Sequence, residues 1–295
     1  MPPRRLRLDA ELVRRGLARS REHAATLVAD GRVKVGGMVA RKPATGVSTD
    51  VALVVSVDDD RPDYVSRGGH KLAGALDDLA AHGLRAAGRR VLDAGASTGG
   101  FTDVLLRAGA AEVVAVDVGY GQLAWRLQQD DRVRVHDRTN VRDVTPALVG
   151  GPVDLVVGDL SFISLRLLLE ALVGVTEPDG DLLLMVKPQF EVGKDRVGKG
   201  GVVRDPDLRA ETVVAVCAAA ARLGRGVVGL TTSKLPGPSG NVEFFVWLRQ
   251  GPPLLDDETL AAAVAAQQTR VGTAGPALPD AAPPGASGPG ERVEE

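Results

Sequence analysis

The residues of this chain best suited to chemistry begin at Asp93. Arg90-Val91-Leu92-Asp93-Ala94 is a short apolar run closed by a carboxylate, and Gly95-Ala96-Ser97-Thr98-Gly99-Gly100 follows as a glycine-rich turn. A helix opening at Gly99 or Gly100 would present free backbone N–H groups, and the glycines let the main chain approach a ligand closely. A second apolar run, Val113-Val114-Ala115-Val116, ends at Asp117, 22 residues beyond Gly95, where a carboxylate can accept hydrogen bonds from ribose hydroxyls. Against the plainer reading of an ordinary tight turn, this layout suits a nucleoside-containing cofactor. Two details disfavour a dinucleotide. Ser97 stands where a second glycine should admit a pyrophosphate, and Asp93 would repel phosphates while suiting a cationic ligand. S-adenosylmethionine, with an amino group, a sulfonium and no phosphate, fits better than NAD. Gly95, Ser97 and Gly99 are then expected around its amino-acid end, Asp117 at its ribose and Asp137 near its adenine.

Three further ionisable residues sit where a bland reading strains. Asp159 ends the apolar run Val153 to Val157, Lys187 ends Leu182-Leu183-Leu184-Met185-Val186, and Glu243 is embedded in Asn241-Val242-Glu243-Phe244-Phe245-Val246-Trp247. The carboxyl ends of parallel strands line the ligand crevice of an open α/β sheet, so Asp159 and Lys187 point where Asp93 and Asp117 do. The alternatives are a turn-forming aspartate and a solvated edge glutamate. Lys71, in Ser66-Arg67-Gly68-Gly69-His70-Lys71-Leu72, reads by itself as a surface lysine.

The elements that must position these residues follow from periodicity. Strands are expected at about 90–94, 112–117, 133–136, 153–158, 181–187, 226–233 and 242–249, with helices near 66–87, 100–108, 121–129, 164–174 and 205–222. Such alternation indicates a mostly parallel sheet covered on both faces. Only Leu235 to Gly240 separate the last two strands, so these should pair antiparallel. Ahead of the sheet, Leu8 to Gly16 reads as a short helix, Ser20 caps a second that stops at Gly31, and residues 32–42 alternate as a hairpin about Gly36-Gly37. A polar linker falls at Asp58 to Asp63.

The net charge of −2 conceals segregation. Residues 1–45 carry 11 Arg/Lys against 4 Asp/Glu, whereas residues 251–295 carry 2 against 7. A polyanion-binding front end and a solvated acidic tail are the expectation, the tail disordered because its Pro, Gly and Ala from Gly272 to Gly290 have little to bury. Arg14, Arg15, Arg19, Arg21, Lys34, Arg41 and Lys42 are expected on the outside as an RNA-binding surface. The single cysteine, Cys217, lies in an apolar helical run and excludes a disulfide framework. His23, His70, His82 and His136 show no metal-ligand spacing, so no metal is expected. No apolar run approaches a membrane span and no secretory h-region opens the chain, which reads as a cytoplasmic protein.

Two resemblances organise these features. Leu-Asp-x-x-Leu-Val-x-x-Gly-Leu-Ala-x-Ser-Arg across Leu8 to Arg21, followed by Leu27-Val28-x-x-Gly-x-Val-x-Val-Gly-Gly, resembles the S4 RNA-binding domain over about residues 4–58. This implies recognition of structured RNA by shape and phosphate. Beyond it, Ser66 to Leu72, Asp93 to Thr102, Gly158-Asp159-Leu160-Ser161-Phe162-Ile163-Ser164, Val186 to Glu191 and Gly237 to Glu243 occur in order. They are similar to segments of the TlyA family of ribosomal RNA ribose 2′-O-methyltransferases, and more broadly of the FtsJ type. The resemblance implies a Rossmann-like class I methyltransferase α/β fold of seven strands over residues 61–250. Residues 1–60 would form the small S4-like α+β RNA-binding domain, and 251–295 the tail.

The same resemblance implies a Lys-Asp-Lys-Glu tetrad of Lys71, Asp159, Lys187 and Glu243, S-adenosylmethionine as donor, and ribosomal RNA or its subunits as partner. The implied targets are cytidine 2′-hydroxyls of 16S and 23S ribosomal RNA, although some members modify one subunit alone. A 2′-hydroxyl must lose its proton as it attacks the methyl, and a lysine acts as base near neutrality only when burial or a second cation displaces its own proton. Lys187 is the expected base with Lys71 beside it, Asp159 orienting Lys187, and Lys71 and Glu243 placing the ribose. Residues Gln189 to Gly201, rich in glycine and carrying Lys194 and Lys199, are expected as a loop that closes over RNA. A base methyltransferase fits less well, since Asp159-Leu160-Ser161-Phe162 is neither an Asn/Asp-Pro-Pro-aromatic segment nor close to a cysteine. A non-catalytic assembly factor would leave the tetrad unused, a haemolysin would need an amphipathic membrane segment, and a dehydrogenase would need a different turn.

Overall fold

The computed structural model describes residues 5–18, 20–29, 31–56, 62–237 and 240–271. The chain divides into two units, Met1–Asp63 and Tyr64–Glu295.

In the first unit, β1 (Arg5–Arg7) runs into α1 (Leu8–Arg14), and α2 (Arg21–Ala29) follows. Ser20 Oγ accepts the His23 N–H at 3.1 Å, so Ser20 caps α2 as its type dictates. The strands β2 (Val33–Val35) and β3 (Met38–Val39) form the expected hairpin, with Lys34 opposite Val39. Two further strands complete the unit and, like β1, were not foreseen. β4 (Gly46–Ser48) pairs antiparallel with β1, and β5 (Leu53–Val55) pairs antiparallel with β2. Leu8, Leu12, Ala24, Leu27, Val28, Val33 and Val47 fill its core.

Arg14 and Arg21 are exposed as expected, whereas Arg15 is partly enclosed. Glu11 is wholly buried and accepts Arg14 Nη2 at 2.6 Å and Arg15 Nε at 2.7 Å. Arg15 also donates to the carbonyls of Val51 (2.7 Å) and Thr49 (2.8 Å), which makes it an internal strut rather than a free contact. Arg21 reaches Asp9 at 3.2 Å, beside Arg7. The arginines beside them hold the carboxyls of Asp9 and Glu11 down at about 2. Lys34, Arg41 and Lys42 are exposed. Arg19 lies outside the described residues.

The second unit begins with α3 (Gly68–Ala80) and then alternates: β6 (Arg90–Ala94), α4 (Gly100–Arg107), β7 (Glu112–Val116), α5 (Trp125–Gln128), β8 (Val133–His136). It continues with α6 (Pro146–Val149), β9 (Val153–Gly158), α7 (Leu169–Gly174), β10 (Thr176–Val186) and α8 (Pro188–Glu191). It ends with α9 (Pro206–Arg222), β11 (Arg225–Thr232), β12 (Phe244–Gln250) and α10 (Asp257–Val271). The seven strands lie in the order β11-β12-β10-β9-β6-β7-β8. β8, β7, β6, β9 and β10 run parallel to one another, and β12 is antiparallel to both β10 and β11. Chain direction across the sheet reverses between β6 and β9, the place where a crevice opens at the carboxyl ends.

The strands are apolar runs because both faces are covered. Leu182, Leu184 and Val186 pack into one core with Leu92, Val156 and Val213, while Leu183 and Met185 pack into the other with Val91, Leu155 and Phe245. Each fully buried leucine stabilises the fold by about 1.5–3 kcal/mol relative to exposure.

Four expectations fail locally, the first being the helix foreseen at 66–87, which spans only Gly68–Ala80. The helix foreseen at 121–129 is reduced to Trp125–Gln128, because Ala124 donates its N–H to Thr98 O (3.1 Å) to close the glycine turn. The helix foreseen at 164–174 breaks at Leu168 into a 3₁₀ turn, Leu165–Leu167, and α7. The tail expected to be disordered from 251 instead forms α10, whose Leu260 and Val264 are buried in the core with Val213 and Val216. Leu254 N–H donates to Val227 O (2.9 Å) and Gln267 Nε2 to Leu230 O (3.0 Å), so this segment meets the outer side of β11. Residues 272–295 lie outside the described set.

Candidate active site

The glycine turn is shaped by its own backbone requirements. Gly95, Ser97 and Gly99 have φ of 85°, 48° and 97°. A side chain on Gly99 would be strained and would collide with Leu127, its Cβ also falling 2.8 Å from Leu123 Cδ1. Asp93, fully buried at the end of β6, accepts Thr102 Oγ1 at 2.7 Å through Oδ2. Its Oδ1 is buried with no hydrogen-bond partner among the described residues. Burial pushes this carboxyl up to about 7, partly offset by the Thr102 hydrogen bond.

Asp117 is drawn into the turn: Oδ2 accepts the Ser97 N–H at 2.8 Å and Oδ1 the Gly119 N–H at 2.7 Å. A carboxylate has about four acceptor positions, so two remain for a ligand. Asp137 Oδ2 accepts the Gly121 N–H at 2.8 Å.

The four tetrad residues form two ion pairs. Lys71, in the first turn of α3, is 8% exposed and donates to Glu243 Oε2 at 2.6 Å, and Glu243 is 1% exposed. The surface lysine and the solvated edge glutamate are both overturned. Glu243 directly precedes β12 and is enclosed by the preceding loop. A side chain on Gly237 would overlap its carboxylate, the Cβ lying 2.6 Å from Cδ. Lys187 follows β10, is 6% exposed, and lies 2.6 Å from Asp159 Oδ1 and 2.7 Å from Ser161 Oγ. Each lysine thus has its own carboxylate, Lys71 with Glu243 and Lys187 with Asp159.

Two contacts join the pairs. Gln189 Nε2 donates to Glu243 Oε1 at 3.3 Å, linking the segment after Lys187 to the Lys71 pair. A side chain on Gly68 would come within 3.9 Å of Asp159 Oδ2, so the start of α3 borders both carboxylates. A side chain on Gly95 would fall 3.2 Å from Asp159 O, which sets the donor-type turn against the same segment.

Sequence reasoning missed the residues that brace this geometry. Glu191, buried, accepts Ser164 Oγ and Leu165 N–H at 2.6 Å and Arg166 Nε at 3.2 Å. Asn241, also buried, donates to Gly201 O at 2.9 Å and accepts the Val203 N–H at 3.1 Å. The Gln189–Gly201 loop is therefore anchored at both ends. The signal available for Glu191 and Asn241 was their place inside the quoted motifs; their partners are remote in sequence. Among the described residues, no group of three or more His, Cys, Asp or Glu is placed to hold a metal ion.

Comparison with known proteins agrees with this architecture. Residues 64–250 match the FtsJ-like methyltransferase model and residues 6–51 the S4 domain model. The chain is 62% identical over 246 residues to the 16S/23S rRNA (cytidine-2′-O)-methyltransferase TlyA of Mycobacterium tuberculosis, covering 83% of this chain and 90% of that one. It is 33% identical over 241 residues to hemolysin A of Brachyspira hyodysenteriae, covering 81% and 98%. A solved Streptococcus thermophilus structure that carries a hemolysin name superposes with a TM-score of 0.70 at 36% identity, over 91% of this chain and 97% of that one. With glycine turn, paired lysines and front domain all in place, the chain belongs to the FtsJ-like methyltransferase family, in its TlyA branch.

Proposed function

We propose that this protein transfers a methyl group from S-adenosylmethionine to ribose 2′-hydroxyls of ribosomal RNA, on cytidines of 16S or 23S RNA as named for the Mycobacterium tuberculosis relative, in the cytoplasm. The observation that carries this reading is the pair of buried Lys–carboxylate contacts, Lys71–Glu243 and Lys187–Asp159, beside the Gly95–Gly99 turn. A buried amine at a nucleoside site matches a hydroxyl nucleophile that must be deprotonated.

The donor fits the residues present. The unpartnered, buried Oδ1 of Asp93 is an acceptor suited to a cationic amino group, and Asp117 keeps acceptor positions for ribose hydroxyls. Gly95, Ser97 and Gly99 would surround the amino-acid end, and Asp137 would lie toward the adenine. When bound, the donor supplies an electrophilic methyl on a sulfonium. Lys187 would accept the 2′-hydroxyl proton of the ribose. Asp159 holds the amine in place and stabilises it once protonated. Lys71 and Glu243 place the ribose, and alignment accounts for much of the acceleration.

Phe162 offers a surface for the nucleobase. It is 91% exposed, with φ of 64°, and its ring lies 5.2 Å from that of Phe190, the residue three beyond Lys187. Unstacked bases are commonly held on aromatic faces of this kind. Residues 1–60 would hold folded RNA through Lys34, Arg41 and Lys42, leaving residues 61–250 to transfer the methyl.

The hemolysin name of some relatives has no counterpart in a membrane helix: among the described residues no helix is long and apolar enough to cross a membrane. The test is incubation of the purified protein with ribosomal subunits and methyl-labelled donor, with 2′-O-methylation mapped on both RNAs. Label on cytidine ribose is expected; label confined to bases, or none on either subunit, would overturn the reading.

A further inference from the structure

We propose that Ser161 is a positioning residue for Lys187, fixing the direction in which the amine accepts the 2′-hydroxyl proton. The proposal rests on the reading of Lys187 as the base.

An amine nitrogen is tetrahedral. One position is its bond to Cε, and a second is directed by the hydrogen bond to Ser161 Oγ at 2.7 Å. With those two fixed, the remaining two directions are determined. Asp159 Oδ1 lies 2.6 Å away as an ion-pair contact outside hydrogen-bond alignment, so it attracts the amine without setting its rotation about the Cε–Nζ bond. The hydroxyl of Ser161 removes that freedom. A hydroxyl serves here where a second carboxylate would not, because it directs an N–H without adding a charge that favours the protonated amine.

The loop carrying Ser161 is built to hold it. Phe162, immediately after, adopts φ of 64°, which turns the chain away from the strand direction of β9. Glu191, four residues after Lys187, then takes Ser164 Oγ and Leu165 N–H at 2.6 Å. Asp159, Ser161 and Lys187 are thereby closed into one ring of contacts, with Glu191 as the brace. Ser161 is itself exposed and Asp159 partly so, which leaves the amine's remaining direction open toward substrate.

The experiment is a double-mutant cycle on the full chain with ribosomal subunits and S-adenosylmethionine, read as single-turnover methyl transfer. Ser161→Ala should lower the rate on the order of 10²-fold, the scale of a small misplacement of a reacting group. Donor and RNA affinities should stay at wild-type values. Ser161→Thr, which keeps the hydroxyl, should recover most of the rate. In a Lys187→Ala background, Ser161→Ala should add no further loss. A wild-type rate for Ser161→Ala beside an inactive Lys187→Ala would overturn the role of Ser161 alone. An equal loss with and without the lysine would also overturn it, by showing that the serine acts elsewhere. Full activity of Lys187→Ala would remove the base reading and this inference with it.

Discussion

Lys71 Nζ donates to Glu243 Oε2 across 2.6 Å, a contact between residues 172 positions apart that closes the first helix of the large unit onto its last strand. Both groups are buried, so each is tolerable only in the presence of the other. Lys71→Ala should therefore destabilise the protein by about 3–5 kcal/mol, the usual cost of stranding a buried charge. Denaturant melts check this. Lys71→Met combined with Glu243→Gln should recover much of the stability without recovering methyl transfer, which separates the structural role from the chemical one.

Lys187→Ala should lower the single-turnover rate by roughly 10²–10⁴-fold while donor affinity changes little. Asp159→Ala should match it in rate and leave donor affinity likewise little changed, because Asp159 meets the turn at Gly95 through its backbone carbonyl, which alanine keeps. Calorimetry with S-adenosylmethionine checks both variants; a large loss of donor affinity in Asp159→Ala alone would show that the turn depends on the side chain.

Donor affinity should depend on pH through Asp93. Burial keeps this carboxyl protonated up to about 7, and a cationic amino group placed against it would favour the carboxylate. Binding then releases a proton below pH 7, so affinity rises with pH across roughly 5.5–7.5 and flattens before the donor's own amino group, near 8, loses charge. Asp93→Asn should abolish the slope. Unliganded, the folded protein holds this proton between 3.8 and about 7 while the unfolded chain does not, so its contribution to stability falls across that window as pH rises. A pH-independent donor affinity in the wild type would count against the contact.

In the small unit, Lys34→Glu, Arg41→Glu and Lys42→Glu should each weaken RNA binding and flatten its dependence on salt, since fewer counterions are released. Arg15→Ala should instead lower the unit's thermal stability, because it removes one of the two arginines on buried Glu11 and frees the carbonyls of Thr49 and Val51. Salt-titrated binding with matched melts tests the contrast. A stable Arg15→Ala with strongly weakened RNA binding would return that arginine to the surface role that its charge alone suggested.

How far the chain was legible depended on where each residue's partner lay. Val133–His136 and Val153–Gly158 match their expected spans because each is an apolar run punctuated by turn residues. The pairing of Arg15 with Glu11 is readable in principle from i,i+4 spacing, whereas the charge surplus alone implies a solvated arginine. α5 was overdrawn because the fate of residues 121–124 is decided by Thr98, in a different loop. Lys71 illustrates the sharpest limit. Its flanking sequence does not show that it is buried, because Glu243, which accepts its amine, lies 172 positions away.

The segment after β12 has a consequence for solubility. β11 is the outermost strand of the sheet, and Leu254 and Gln267 occupy carbonyls on its free side. A chain ending at residue 250 would keep every tetrad residue and the whole glycine turn while uncovering an unpaired strand edge. Such an edge recruits strands from neighbouring molecules. The shortened enzyme would self-associate, and α10 thus acts as a built-in guard against aggregation.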